Sequence, residues 1–170
     1  MELTAFFYDP NIHPFTEFQR RMETLERYLF LRPMDHLIVD DYELVPVIKA
    51  MIEAAGISGA DQDEVGGSMT KEQRKRRCDL CYSMRLRRTA LTAKEKGFDG
   101  FSTTMLLSKH QDHEAIKRIA KAESKAAGIE FVYKDLRKNW KLSLEESARY
   151  RLYRQPYCGC IFSEQERYLE

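Results

Sequence analysis

Short apolar runs alternate with longer stretches in which apolar residues recur every three or four positions. Leu3-Thr4-Ala5-Phe6-Phe7 is too short and too continuous for an amphipathic helix, and reads as a strand buried on both faces. From Thr16 the period changes. Phe18, Met22, Leu25 and Leu29 share one helical face, Thr16 and Gln19 are spaced to cap its start, and Pro33 ends it. Residues 36–39 form a second apolar run. Leu44, Val47, Ile48, Met51 and Ile52 line a second helix that Gly56 closes. Residues 77–96 predict a long helix ended by Gly97, with Leu80, Met84, Leu86 and Leu91 facing inward. Residues 98–103 predict a third strand with a hydroxyl-rich continuation to Ser108. Residues 112–127 predict a helix stopped by Gly128, and 129–133 a fourth strand. Ser143 with Glu146 and Ser163 with Glu166 have capping-box spacing, which predicts two closing helices.

Strands alternating with helices imply an α/β fold with a mostly parallel sheet, helices on both faces and a single domain over 1–170. In such sheets ligands bind beyond the carboxyl ends of the strands. Tyr8-Asp9-Pro10-Asn11-Ile12-His13-Pro14 is a rigid loop at one such end, which makes Tyr8, Asn11 and His13 candidates. Thr103 and Thr104 stand at another. The plain alternative is that these loops only connect a strand to a helix. The segment 56–68 is acidic and glycine-containing and reads as a mobile loop, and its Asp61, Asp63 and Glu64 lack calcium-loop spacing.

Composition narrows the class. A chain of 170 residues that is 43% hydrophobic and 32% charged can bury a core of its own. No apolar run reaches membrane-spanning length, and no signal-peptide layout opens the chain, so a cytoplasmic setting without a membrane partner is expected. The net charge of +1 gives no global attraction to nucleic acid. Its distribution does: Lys71, Arg74, Lys75, Arg76, Arg77, Arg85, Arg87 and Arg88 face only Glu72 and Asp79 between 71 and 88. Such a cluster can neutralise phosphates, with Arg74, Lys75 and Arg76 the candidate contacts, or can be a solvated helix face. Trp140 lies among Lys134, Arg137, Lys138 and Lys141, where it could stack on a base or cover the core. His110 and His113 are three apart, which suits a metal, although histidines so placed more often face solvent.

The cysteines carry the sharpest chemistry. All four fall in two pairs, Cys78-x-x-Cys81 and Cys158-Gly159-Cys160. Helical spacing puts the first pair on one face. The second turns sharply at its glycine and is poorly suited to a disulfide within itself, which would close a strained ring. In a reducing compartment, two pairs with none left over point to one shared soft-metal site.

With these pieces in hand, the chain resembles the epoxyqueuosine reductase QueH family. The resemblance rests on Tyr8-Asp9-Pro10-Asn11-Ile12-His13-Pro14, Arg77-Cys78-x-x-Cys81-Tyr82, Phe98-Asp99-x-Phe101-x-Thr103-Thr104 and Tyr153-Arg154-Gln155-x-Tyr157-Cys158-Gly159-Cys160, in the family's order. It implies a fold like the adenine nucleotide alpha hydrolase-like, or HUP, proteins. It also implies reductive removal of the epoxide oxygen of epoxyqueuosine at the wobble position of tRNA, the final step of queuosine biosynthesis. The implied cofactors are a 4Fe-4S cluster and an adjacent metal ion, expected to be iron, without cobalamin. Electrons would come from a donor that the sequence does not identify. By the same resemblance Cys78, Cys81, Cys158 and Cys160 are metal ligands, and Tyr8, Asn11, His13, Thr103, Thr104, Tyr153, Arg154 and Gln155 lie near the substrate. No residue is assigned the catalytic step. Members of the family open with a further strand and helix bearing a Cys-Cys-x-Pro-Asp type motif, and this chain starts after that unit. The expectation is therefore an N-terminally incomplete member, missing its first strand and helix and not active alone.

Two rival readings stand beside it. Four paired cysteines also suit a zinc-stabilised RNA-binding module without catalysis. A sulfur transferase of the ATP-using HUP type is the other, and the Tyr-Arg-Gln and Cys-Gly-Cys motif argues against it.

Overall fold

The computed structural model describes residues 3–32, 36–57 and 69–169. Pro33 and most of the loop expected at 56–68 lie outside them. The elements run β1 (Thr4–Phe7), α1 (Phe15–Leu31), β2 (His36–Val39), α2 (Leu44–Ala55), α3 (Lys71–Glu95), β3 (Gly100–Phe101), α4 (His113–Ala127), β4 (Glu130–Phe131), α5 (Trp140–Arg149) and α6 (Ile161–Tyr168), with 3-10 turns at Thr104–Leu107 and Arg137–Asn139. The chain is α/β, and both strand pairings among the described residues are parallel. β1 pairs with β2 from Thr4↔His36 to Phe7↔Val39, and β3 pairs with β4 at Gly100↔Glu130 and Phe101↔Phe131. The described strands thus form two two-stranded ladders where one sheet was expected.

The fold divides into two compact units. The first takes in the described residues up to 53, with 69 and 145–169, and the second takes in 54–57 and 70–144. In the first, Phe7, Ile12 and Phe18 are buried together, with Met22, Leu25, Leu37 and Tyr42 packed on them. Phe18 and Tyr42 meet as tilted rings at 4.7 Å. In the second, the inward faces of α3 and α4 meet. Tyr82, Leu86, Ala90, Ile116, Ile119 and Ala120 form its core, closed by Phe101, Leu106 and Ile129. Burying Leu86, Ile116 and Ile119 is worth about 1.5–3 kcal/mol each, so this helix pair supplies much of the second unit's stability. α4 ends as its glycine predicts: Gly128 is left-handed at φ 65°, and its N–H donates to the Ser124 carbonyl at 3.0 Å.

Several boundaries differ from the sequence reading, each for a local reason. α1 begins at Phe15, with Pro14 at its cap and no side-chain cap bond, so the Thr16–Gln19 box is not used. α3 starts at Lys71, well before Arg77. Thr70 accepts from the Gln73 N–H at 3.2 Å, and Gln73 Oε1 accepts from the Thr70 N–H at 2.9 Å. The strand expected over 98–103 shrinks to Gly100–Phe101. The Phe98 N–H still donates back to the Ala93 carbonyl at 2.9 Å, and the Thr103 hydroxyl accepts from the Met105 N–H to start a 3-10 turn. The fourth strand is Glu130–Phe131 alone. α5 starts at Trp140, and Ser143 Oγ donates to the Trp140 carbonyl at 2.7 Å instead of capping. α6 starts at Ile161 with Cys160 at its cap, which puts Ser163 inside the helix.

Candidate functional site

The Cys158-Gly159-Cys160 turn belongs to the first unit, and its backbone is tied down at every carbonyl. The Tyr157 and Cys158 carbonyls accept from Arg21 NH2 and NH1 at 3.1 and 2.9 Å. The Gly159 carbonyl accepts from the His13 N–H at 2.7 Å, and the Cys160 carbonyl accepts from the Ser163 and Glu164 N–H groups as α6 begins. Gly159 has φ +114°, outside the range of ordinary L-residues, and a Cβ there would stand 2.7 Å from Arg21 NH1 and 2.9 Å from Ile12 Cγ1. On this frame Cys158 Sγ lies 3.7 Å from Cys160 Sγ and donates to Ser163 Oγ at 3.0 Å. Cys160 is buried and Cys158 is exposed.

The loop after β1 is the other half of this arrangement. Asn11 is buried, and its Nδ2 points at Met51 Sδ at 3.6 Å. Tyr42 OH donates to the Ile12 carbonyl at 2.6 Å, and Tyr157 OH donates to the His13 carbonyl. The His13 ring donates from Nδ1 to Glu164 Oε2 at 3.3 Å, with both side chains about one-third exposed. Tyr8 stacks on Phe6 at 6.1 Å. Burial raises the phenols of Tyr42 and Tyr157, the latter to about 12, where Glu164 and Glu17 add to the effect. Both therefore remain O–H donors at neutral pH.

Behind the turn lies a group that the sequence reading passed over. Glu17 and Arg21 sit one helical turn apart on α1 and are both buried. Arg21 Nε donates to Glu17 Oε1 at 2.7 Å, and Tyr153 OH donates to Glu17 Oε2 at 2.8 Å. Burial and this bond to Glu17 raise the Tyr153 phenol. Arg20 stacks on the Tyr153 ring at 3.9 Å. Arg154 and Gln155 are exposed beside it. Helical spacing was the available signal: Glu17 and Arg21 share the face of Phe18 and Met22 closely enough to be drawn inward.

The second unit holds Cys78 and Cys81, half-buried on α3 with Cys78 against the core. Arg77 is almost fully buried and directs NH2 at Cys78 Sγ at 3.8 Å. Tyr82 donates to Gln111 Oε1 at 2.7 Å and accepts from the Asp112 N–H at 3.3 Å. Its burial raises the phenol strongly, and the neighbouring Cys78 and Cys81 add to the rise. Thr103 is spent on its 3-10 cap, and Thr104 is exposed. The expectation for the histidines changes here. His113 is buried, with Nε2 donating to the Ser108 carbonyl at 3.2 Å and Nδ1 without a hydrogen-bond partner among the described residues, while His110 meets Trp140 edge-on. Arg74, Lys75 and Arg76 are exposed. Lys75 pairs with Asp79 at 2.9 Å and Arg76 with Glu72 at 3.2 Å.

Comparison with known proteins now bears on these groups. Residues 1–166 match the family described as epoxyqueuosine reductase QueH. The chain belongs to the QueH family. It is 32% identical over 166 residues to the epoxyqueuosine reductase QueH of Dehalococcoides mccartyi, spanning 98% of this chain and 81% of that one. The Thermotoga maritima protein of the same name is 30% identical over 168 residues, with 95% and 79% covered. That of Helicobacter pylori is 33% identical over 171 residues, with 95% and 42% covered.

For a QueH protein the question is whether the cysteines fit a metal. Two thiolates bound to one tetrahedral ion at ~2.3 Å stand about 3.8 Å apart, and Cys158 and Cys160 stand at 3.7 Å. Ser163 Oγ, beside Cys158, is placed to hydrogen-bond the sulfur. This pair fits a soft metal. Among the described residues no group of three or more His, Cys, Asp and Glu side chains is gathered as a complete ligand set. Among the same residues no helix is long and apolar enough to cross a membrane.

Proposed function

We propose that this chain is an epoxyqueuosine reductase acting on tRNA, and that it removes the epoxide oxygen to give queuosine in the last step of that biosynthesis. The observation that carries the reading is the Cys158–Cys160 dithiol, held at metal-ligand separation on a turn pinned at each carbonyl, in a chain whose match to the QueH family runs nearly end to end. Cys78 and Cys81 are the remaining cysteine donors of this reading. A 4Fe-4S cluster and an adjacent iron held by these cysteines would supply the electrons and a Lewis-acid position for the oxygen.

The chemistry removes one oxygen as water and leaves a carbon–carbon double bond, which takes two electrons and two protons. The chain's own residues handle the protons and the substrate. The His13 ring and Glu164, joined from Nδ1 to Oε2 at the edge of the turn and partly open to solvent, are the proton-carrying groups of this reading. Asn11, Tyr8, Tyr153, Arg154, Gln155, Thr103 and Thr104 are the substrate-side groups of this reading. The exposed Arg74, Lys75 and Arg76 take tRNA phosphates. Their pairs with Glu72 and Asp79 lie on the surface, where such bridges are worth only about 0–1 kcal/mol and yield readily to a phosphate. In the same reading 1–170 is one HUP-like domain with helices on both faces. It works in the cytoplasm and draws electrons from a separate donor protein or small reductant.

The test is anaerobic purification of the full chain with iron and sulfide analysis, followed by conversion of epoxyqueuosine to queuosine in tRNA. Bound iron with visible absorption is expected, and any turnover is expected to depend on that iron. Bound zinc with no visible absorption, tRNA binding and no turnover would replace the reading with a zinc-stabilised RNA-binding module.

A further inference from the structure

We infer that Arg21, oriented by Glu17 and Tyr153, is the positioning residue that sets the Cys158–Cys160 pair for metal capture. The inference rests on the reading of that pair as a metal site. It concerns a residue outside every motif that pointed to the family.

Arg21 shows an unusual use of all three nitrogen positions. Nε goes to Glu17 Oε1, NH1 to the Cys158 carbonyl and NH2 to the Tyr157 carbonyl, at 2.7, 2.9 and 3.1 Å. The side chain is only 8% exposed, as is that of Glu17. Burying a charged pair costs free energy unless its donors and acceptors are filled. Here they are filled by a distant segment: the carbonyls and the Tyr153 hydroxyl lie 136 or 137 positions further along the chain. An exposed pair on neighbouring turns of α1 would need none of them, because water would fill its remaining sites. The pair is therefore built to hold the turn.

Only arginine can do this. Its planar fork presents donors in fixed directions, so that fixing Nε on Glu17 also fixes where NH1 and NH2 point. Lysine, with one ammonium on a flexible stem, cannot hold Glu17 and two consecutive carbonyls together. The fit also explains Gly159. A Cβ at that position would lie 2.7 Å from NH1, so glycine lets the guanidinium approach the turn as well as allowing its φ of +114°. With the carbonyls of residues 157 and 158 held by Arg21 and that of 159 by His13, the backbone between the two sulfurs is already ordered. A binding site that is not pre-ordered loses about tenfold in affinity for each residue that must be fixed on binding.

The test reads the geometry of the pair without iron and without turnover. The full chain, reduced and metal-free, is titrated with phenylarsine oxide. Two thiols displace its oxygen as water and bridge the arsenic, and the adduct is assigned to Cys158 and Cys160 by peptide mass spectrometry. Arg21→Gln is expected to weaken capture at this pair tenfold or more, with Arg21→Lys between it and the wild type. Met22→Ala, which loosens the core on the adjoining face of α1 and leaves the Arg21 bonds to the turn in place, is expected to stay within about twofold. If Arg21→Gln does not fold, Arg21→Lys is compared with Met22→Ala instead. Capture as tight as wild type in the arginine variants overturns the inference, as does equal loss in Met22→Ala, which would make the effect one of general stability. Cobalt(II) titration separates this from the metal reading. Normal arsenical behaviour with no thiolate–cobalt absorption removes the metal reading and leaves Arg21 in its role. Normal cobalt binding with unchanged capture in Arg21→Gln does the reverse.

Discussion

The backbone N–H of His13 donates to the Gly159 carbonyl at 2.7 Å, and the hydroxyl of Tyr157 returns to the His13 carbonyl. This reciprocal tie joins the loop after β1 to the cysteine turn. Tyr157→Phe removes the hydroxyl and leaves a part-buried carbonyl without that donor, which costs about 1–3 kcal/mol. Urea unfolding should show a lower midpoint with an unchanged slope. A midpoint equal to that of wild type would mean that the tie contributes nothing to stability.

How much of this was legible in the sequence depends on whether the cause was local. β1, β2 and the C-terminal ends of α3 and α4 follow from apolar period and from Gly97 and Gly128, which act within a few residues. The Thr70–Gln73 box is equally local, but it stands well ahead of Leu80, where the apolar period of α3 begins. Ser163–Glu166 looked the same but failed, because Cys160 and the thiol of Cys158 took up the start of α6. The cysteines and the Tyr8–Pro14 loop stood out through residue type. Glu17 and Arg21 did not: their spacing on the face of Phe18 and Met22 signals burial, but the partners that give them a role lie on a distant segment.

Alkaline pH should weaken the first unit through its tyrosines. Burial raises the Tyr42 phenol above its ordinary value of 10.0. The unfolded chain then loses this proton at lower pH than the folded chain does. Its contribution is complete below pH 10 and falls away as pH rises through the folded value. Tyr42→Phe should be less stable than wild type at neutral pH, because the bond to the Ile12 carbonyl is lost, and should show a shallower decline above pH 10. Melting temperatures from pH 8 to 11.5 check this. Parallel declines would exclude Tyr42 as a source of the effect.

If the two cysteine pairs serve one site, losing either should empty it. Serine is a far poorer ligand for iron than a thiolate. Cys81→Ser and Cys158→Ser are each expected to lose most of the bound iron, together with conversion of epoxyqueuosine. Iron analysis on both variants decides the matter. Loss of only part of the iron in each, adding up to the whole, would instead mean two separate sites, and full turnover in either would remove that cysteine from the mechanism.

The basic start of α3 makes a prediction about salt. Arg74, Lys75 and Arg76 project from the first two turns of α3, and the Glu72 and Asp79 bridges run along its exposed surface. If they meet the phosphates of an unpaired anticodon loop, each contact releases counterions and adds about 0.7 to the slope of log affinity against log salt. Reversing all three to glutamate should lower tRNA affinity steeply at low salt and reduce that slope by roughly 2, with little change in melting temperature because exposed pairs contribute little. The comparison must be made across a salt series, since a single concentration cannot separate lost phosphate contacts from a change in fold. A variant with weaker binding but the wild-type slope would have lost shape complementarity and not phosphate contacts. A variant unchanged in both would return these residues to the role of a solvated helix face, and the phosphate-binding surface would then have to lie among the other cations, with Lys134, Lys138 and Lys141 around Trp140 the next to reverse.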